Sequence, residues 1–208
     1  MFKDFLRKIK FNLPPLYLLV QILQNRVGSA RGSLESIHQQ FAKNQLPSSS
    51  ALDIGCGLKP KNLFKAKTVY GIDLHEDLDR NIYKVRLGYE TLPFDDNSFD
   101  YITAYDLLEH IPRFGNTPDE TNSPFIFLMN EIYRILKKDG LFLSFTPVYP
   151  YLAAFQDPTH NNIMTVDTLM LYFTNQKYSI AEHYGIKCDY EMLYRKMHGQ
   201  HLIAILEK

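Results

Sequence analysis

Three short stretches of the chain carry side chains of the types that hold or transform ligands. Asp53-Ile54-Gly55-Cys56-Gly57 joins a carboxylate to two glycines. Glycines there let the backbone turn tightly and come close to a ligand, and the exposed N–H groups of such a turn can hold an anionic group. Asp73 follows 16 residues after Gly57, where a carboxylate can accept hydrogen bonds from a ribose diol or cap a helix. The second stretch, YDLLEHIPR (105–113), offers Asp106, Glu109 and His110, and the third, QDPTHNN (156–162), offers Asp157 and His160. Imidazole takes up a proton near neutral pH, and a carboxylate such as Asp157 can orient it. His110 and His160 are therefore candidate general bases, against the plainer readings of helix packing for His110 and turn hydrogen bonding for His160. The same donor types suit a hard metal ion, but their spacing specifies none, and no metal is expected. A dinucleotide fingerprint needs a third glycine where position 60 is Pro, which weakens a nicotinamide reading.

Each stretch follows a run that reads as a strand. Ala51–Ile54 precedes the glycines, Thr68–Leu74 (TVYGIDL) carries Asp73, and Phe99–Tyr105 (FDYITAY) enters through the turn-forming Asp95-Asp96-Asn97-Ser98. Phe125, Leu128, Met129, Ile132, Ile135 and Leu136 fall at helical spacing, which predicts a helix over 125–138 closed by Lys137, Lys138 and Gly140. Leu141–Thr146 (LFLSFT) is a further strand ended by Pro147, and 166–173 a short helix. Two tail strands, about 188–196 and 201–207, join as a hairpin around His198-Gly199. Strands alternating with helical stretches imply βαβ units and a parallel sheet, with one antiparallel strand added by the hairpin. In such a sheet ligands bind beyond the carboxyl ends of the strands, where all three stretches lie. Residues 33–45 read as a helix. The loop Pro47-Ser48-Ser49-Ser50 divides an amino-terminal helical cap, 1–46, from a domain over 47–208.

The 208 residues carry 23 Lys+Arg against 23 Asp+Glu, so a broad basic face for nucleic acid is not expected. Cys56 and Cys188 make no disulfide framework and fit a reducing, cytoplasmic setting. The first ten residues hold Lys3, Arg7, Lys8 and Lys10, and 13–23 is apolar apart from Gln21. That run is too short to span a membrane. It reads either as a helix packed on the domain or as a peripheral contact with an anionic membrane surface.

The segments LDIGCGLKP (52–60), VYGIDL (69–74), LPFDDNSFDYITAYDLLEHIPR (92–113) and NEIYRILKKDGLFLSFTP (130–147) together resemble the class I S-adenosylmethionine-dependent methyltransferases, in that family's order and spacing. The resemblance implies an α/β, Rossmann-like three-layer fold with a seven-stranded, mostly parallel sheet and an antiparallel last strand. It implies S-adenosylmethionine as cofactor and S-adenosylhomocysteine as product. Asp53, Gly55 and Gly57 would surround the methionine portion, Asp73 would bind the ribose hydroxyls and Leu74 would pack on adenine. Ala104 and Tyr105 would line the sulfonium region. Many relatives carry an acid four residues before Leu-Pro-Phe that grips the adenine amino group. Here that position is Gly88, followed by Tyr89, so backbone and the Tyr89 ring are expected to take over.

Methyl transfer from a sulfonium is an in-line displacement. A protein must mainly align donor and acceptor and exclude water, with a base needed only where the acceptor must lose a proton. The expected acceptor is an oxygen or nitrogen on a small molecule, with a sugar or glycan precursor preferred and a lipid-linked or quinone-like molecule as the rival. A binding module without turnover would share every cofactor residue. Irregular stretches at 114–124 and 148–165, the latter with Tyr149, Tyr151 and Phe155, have the length of binding loops.

Overall fold

The apolar runs become strands of one seven-stranded sheet: β1 (Ser50–Ile54), β2 (Thr68–Asp73), β3 (Ile82–Lys84), β4 (Phe99–Tyr105), β5 (Leu136–Pro147), β6 (Glu191–His198) and β7 (His201–Glu207). The computed structural model describes residues 31–42 and 48–208, so the basic, apolar start and the residues 43–47 of the linker lie outside the described residues. The spatial order is β3-β2-β1-β4-β5-β7-β6. Six strands share one direction, and β7 alone runs against both its neighbours. The chain reverses its order of strand addition between β1 and β4, which opens the crevice where ligands of such sheets bind.

Alternation along the strands divides the core between two faces. From β4, Ile102 and Ala104 join Leu52, Ile72 and Phe142 on one face, whereas Tyr101 and Tyr105 join Leu141, Leu143 and Ile205 on the other. The first face is covered by α2 (Pro124–Ile135) and α3 (Thr168–Phe173). Ser123 caps α2 by accepting from Ile126 N–H, and Pro124 occupies its first turn, where a missing N–H leaves no bond unmade. The second face is covered by α1 (Leu34–Phe41), which contributes Ile37, and by Phe64 from the β1–β2 connection. That connection contains no helix; residues 55–67 cross as irregular backbone with short turns at 57–58 and 63–64. Burying a side chain such as Leu128 or Ile132 contributes roughly 1.5–3 kcal/mol, so this packing fixes where the strand ends point.

Several boundaries differ from the sequence reading. The predicted helix over 125–138 stops at Ile135. Leu136 instead pairs with Phe99, and Lys137 lies on β5 with its ammonium 2.8 Å from Asp100, so the basic pair belongs to a strand. The first tail strand begins at Glu191 and runs to His198, and the helix near 166 starts at Thr168. The helix expected over 33–45 is described as Leu34–Phe41. β3 was not anticipated: it has three residues, and its pairing to β2 gives no periodic signal.

Candidate active site

The glycine turn is held from beneath by a buried acid. Asp53, 1% exposed, accepts from the Lys61 backbone N–H at 2.8 Å and from the Thr103 hydroxyl at 2.7 Å. Both oxygens are thus engaged inside the protein, and Asp53 shapes the turn where contact with a ligand was expected of it. Burial pushes its carboxyl up to about 6, against the pull of the Lys61 and Thr103 bonds. Gly55 lies against Leu107; a Cβ there would stand 2.7 Å from Leu107 Cδ1. Gly57 adopts φ +61, and a Cβ built on it meets nothing within 4 Å. This is open space bordered by backbone.

Asp73 closes the far side of that space. Its Oδ2 accepts from Gly57 N–H at 2.8 Å and its Oδ1 from Leu74 N–H at 2.7 Å. A carboxylate offers about four acceptor sites, so two remain for a diol, and the side chain is 24% exposed. Leu74 stands 70% exposed beside it, an apolar surface without cover. The residues here therefore fit a ligand bearing a ribose diol and a flat apolar base. Gly88 has a structural reason: at φ +83, a Cβ would lie 2.8 Å from Pro124 Cβ, so no acid fits there. Tyr89 stacks under the Arg86 guanidinium at 4.2 Å and touches Gly115 of the 114–124 stretch. Ala104 is buried in the sheet.

Tyr105 turns away from the turn's open side. Its ring packs in the α1-side core, and its hydroxyl lies 2.6 Å from His38 Nε2. His38 Nδ1 meets the Leu34 carbonyl, which can only accept, so Nδ1 carries the proton and Tyr105 donates to Nε2. Burial holds the His38 pKa below its usual value and the Tyr105 pKa above it. Only the backbone of Tyr105 is left to line a cofactor.

Beyond β4 and β5 the two histidines meet. Their rings lie edge to face with centroids 4.7 Å apart. The backbone N–H groups of Asn161 and Asn162 both donate to the Glu109 carbonyl at 2.9 Å, and Asn162 Nδ2 donates to the Leu108 carbonyl, which locks the two segments together. Asp157 does not hold His160 as expected; its nearest oxygen is 4.0 Å from His160 Nε2. It accepts instead from the Thr159 hydroxyl at 2.6 Å, and Thr159 Oγ1 lies 2.9 Å from His110 Nδ1. The hydroxyl has one proton, which the carboxylate takes, so His110 must donate through Nδ1–H. Its Nε2 keeps a free lone pair. The Thr159 bonds hold the Asp157 carboxyl below the usual range. Glu109, by contrast, is raised by burial, with the Thr146 hydroxyl donating to Oε2 at 2.7 Å. Asp106 faces His201 Nε2 at 3.0 Å, and the His201 ring stacks on Phe145.

Thr159, Thr146 and His201 were missed in the sequence. Thr159 sits inside the DPTH string as an ordinary turn residue, and His201 reaches the site only because it pairs with Pro147 across β5 and β7. On the α2 side, a cavity of about 1100 Å³ is lined by Phe114, Phe125, Tyr172, Phe173 and Tyr184 with Arg113 at its edge. It borders neither the glycine turn nor the two histidines.

A family model described as "Methyltransferase domain" matches residues 52–144, from the glycine turn through β5. This match and the fold support the resemblance to the class I S-adenosylmethionine-dependent methyltransferases. Demethylmenaquinone methyltransferase of Staphylococcus epidermidis is 28% identical over 137 residues, 57% of this chain and 52% of that protein. Sterol 24-C-methyltransferase of Schizosaccharomyces pombe is 26% identical over 113 residues, 46% of this chain and 27% of that protein. The chain thus spans about half the length, or less, of these curated relatives. Among solved structures, an S-adenosylmethionine-dependent methyltransferase from Mesorhizobium loti shares the fold with a TM-score of 0.54 at 14% identity, covering 85% of this chain and 99% of that one. One from Archaeoglobus fulgidus gives 0.51 at 17% identity, covering 86% and 96%. The cofactor of this methyltransferase family is S-adenosylmethionine, and the turn, Asp73 and Leu74 fit it. Among the described residues no helix is long and apolar enough to cross a membrane.

Proposed function

We propose that this methyltransferase transfers a methyl group to an oxygen or nitrogen of a small molecule bound beside His110 and His160, a sugar or glycan precursor being the preferred acceptor. S-adenosylmethionine, when bound, supplies an electrophilic methyl group on a sulfonium that is already a good leaving group. The observation that carries the reading is Leu107. Its side chain packs on Gly55 of the cofactor turn, and three residues later His110 presents a lone pair fixed by the Thr159–Asp157 chain. The chain's own part is to hold the turn through Asp53, to hold a ribose through Asp73 and to receive the acceptor's proton at His110 Nε2. A positioned base of this kind contributes typically 10²–10⁴-fold.

A quinone-like acceptor is the second reading. It is favoured by relatives named for demethylmenaquinone and sterol methylation. The test is S-adenosylhomocysteine release by the full chain with panels of sugars, nucleotide sugars, aromatic hydroxyl compounds and demethylated quinones. Turnover with a hydroxyl or amine acceptor that falls at least about tenfold in His110→Ala supports the first reading; turnover only with quinones supports the second. Tight S-adenosylmethionine binding without turnover on any panel leaves a silent binding module.

A further inference from the structure

We propose that Glu109, His110 and His160 form a binding site for one divalent transition-metal ion. Each of the three offers a ligating atom, and these atoms lie within 4.8 Å of one another. Donors on a common ion at about 2.0–2.2 Å sit roughly 3 Å apart, a closure within reach of small side-chain rotations.

The groups around the cluster prepare it for an ion. Glu109 is 1% exposed, and its Oε1 has no hydrogen-bond partner, while Oε2 is taken by Thr146. A buried carboxylate oxygen left without a partner is costly, and a cation would satisfy it. Both imidazoles are held by their other nitrogen, the pattern typical of ligating histidines. His110 Nδ1 donates to Thr159, which Asp157 anchors, and His160 Nδ1 faces the Ala154 carbonyl at 3.3 Å. That carbonyl can only accept, so the His160 lone pair also lies on Nε2. Asp157, 4.0 Å from His160 Nε2, adds negative charge close by.

The donor set selects the metal. Two imidazoles and one carboxylate suit Zn²⁺, Fe²⁺, Co²⁺ or Ni²⁺, whereas Mg²⁺ and Ca²⁺ prefer an oxygen cage. Three protein ligands leave coordination positions open. An acceptor hydroxyl bound there would lose its proton more readily under the charge of the ion, and in the proposed reaction the ion would take the part given above to His110. The site itself rests on the cluster's geometry and not on methyl transfer.

The experiment uses the full chain, stripped with a chelator and desalted, with neither cofactor nor acceptor present. Titration with Zn²⁺ in the calorimeter, and with Co²⁺ followed by its visible absorption, is expected to show one ion per chain. Mg²⁺ should not compete. His160→Ala and His110→Ala should each weaken Zn²⁺ by more than about 100-fold, and Thr159→Val, which removes only the outer support, by roughly 10–100-fold. Circular dichroism of each variant keeps loss of the site apart from loss of the fold. No uptake by the unaltered chain overturns the proposal, and so does uptake that His110→Ala and His160→Ala leave unchanged. Metal uptake without any methyl transfer would sink the proposed reaction and leave the site standing; methyl transfer without uptake would do the reverse.

Discussion

Asp53 ties the stability of this protein to pH in a direction opposite to the usual carboxylate. Burial raises its pKa from 3.8 to about 6. Between those values the folded chain binds a proton that the unfolded chain has released, so the Asp53 contribution to stability is greatest below 3.8 and is lost as pH rises through 6. At about 1.4 kcal/mol per unit, the whole window is worth roughly 3 kcal/mol, of which roughly 2–3 fall between about pH 4 and 7.5. Asp53→Asn isolates this contribution. Its Oδ1 can still accept from Lys61 N–H, and its Nδ2 can donate to the Thr103 oxygen, so shape and bonding survive while the titration vanishes. The chain has no tryptophan, so urea unfolding is best followed by far-ultraviolet circular dichroism across that pH range. The stability of the wild type minus that of the variant should decline by roughly 2–3 kcal/mol as pH rises. A difference that stays constant with pH, or grows, refutes the reasoning that burial dominates at Asp53.

Asp73→Ala should weaken S-adenosylmethionine by roughly 1–3 kcal/mol, about 5- to 150-fold in Kd, and calorimetry showing unchanged affinity would remove Asp73 from the ribose. Gly57→Val places a branched side chain in the open space at a positive φ, a strain of roughly 1–2 kcal/mol; cofactor binding should disappear while the thermal unfolding curve remains cooperative. Tyr105→Phe leaves His38 Nε2 buried without its partner, which should cost about 1–3 kcal/mol. Hydrogen exchange over 34–41 should quicken, and unchanged protection there would mean that α1 is held by packing alone.

The legible parts of this molecule were those set by local pattern. β4 matched its sequence reading from Phe99 to Tyr105 because its alternation and entry turn are both strong, and Asp73 fell at the end of β2 for the same reason. The short strand β3 and the early start of β5 depend on partners far along the chain. Leu136 is equally at home on a helix face until Phe99 is beside it. At the site, residue types pointed to His110, His160 and Asp157, yet proton positions decide what they do, and those followed only from which neighbour accepts. Tyr105 shows the limit most clearly. Its place in the motif predicted a cofactor contact, but the pleat of β4 sends its ring to the opposite face.

The helix-free crossing from β1 to β2 gives the cofactor turn a stability of its own. With no helical ladder, residues 55–67 are held by the Asp53 bond to Lys61, the Asp73 bond to Gly57, the Gly55 and Cys56 bonds to the Ile72 carbonyl, the paired bonds of Asn62 with Ala66, and the Phe64 ring in the α1-side core, among other contacts. Such a segment can open locally well below the free energy of global unfolding. A ligand seated on it would protect its amides in proportion to its concentration over Kd, so the turn would serve as a built-in gauge of cofactor occupancy while the seven strands beneath it stay unchanged.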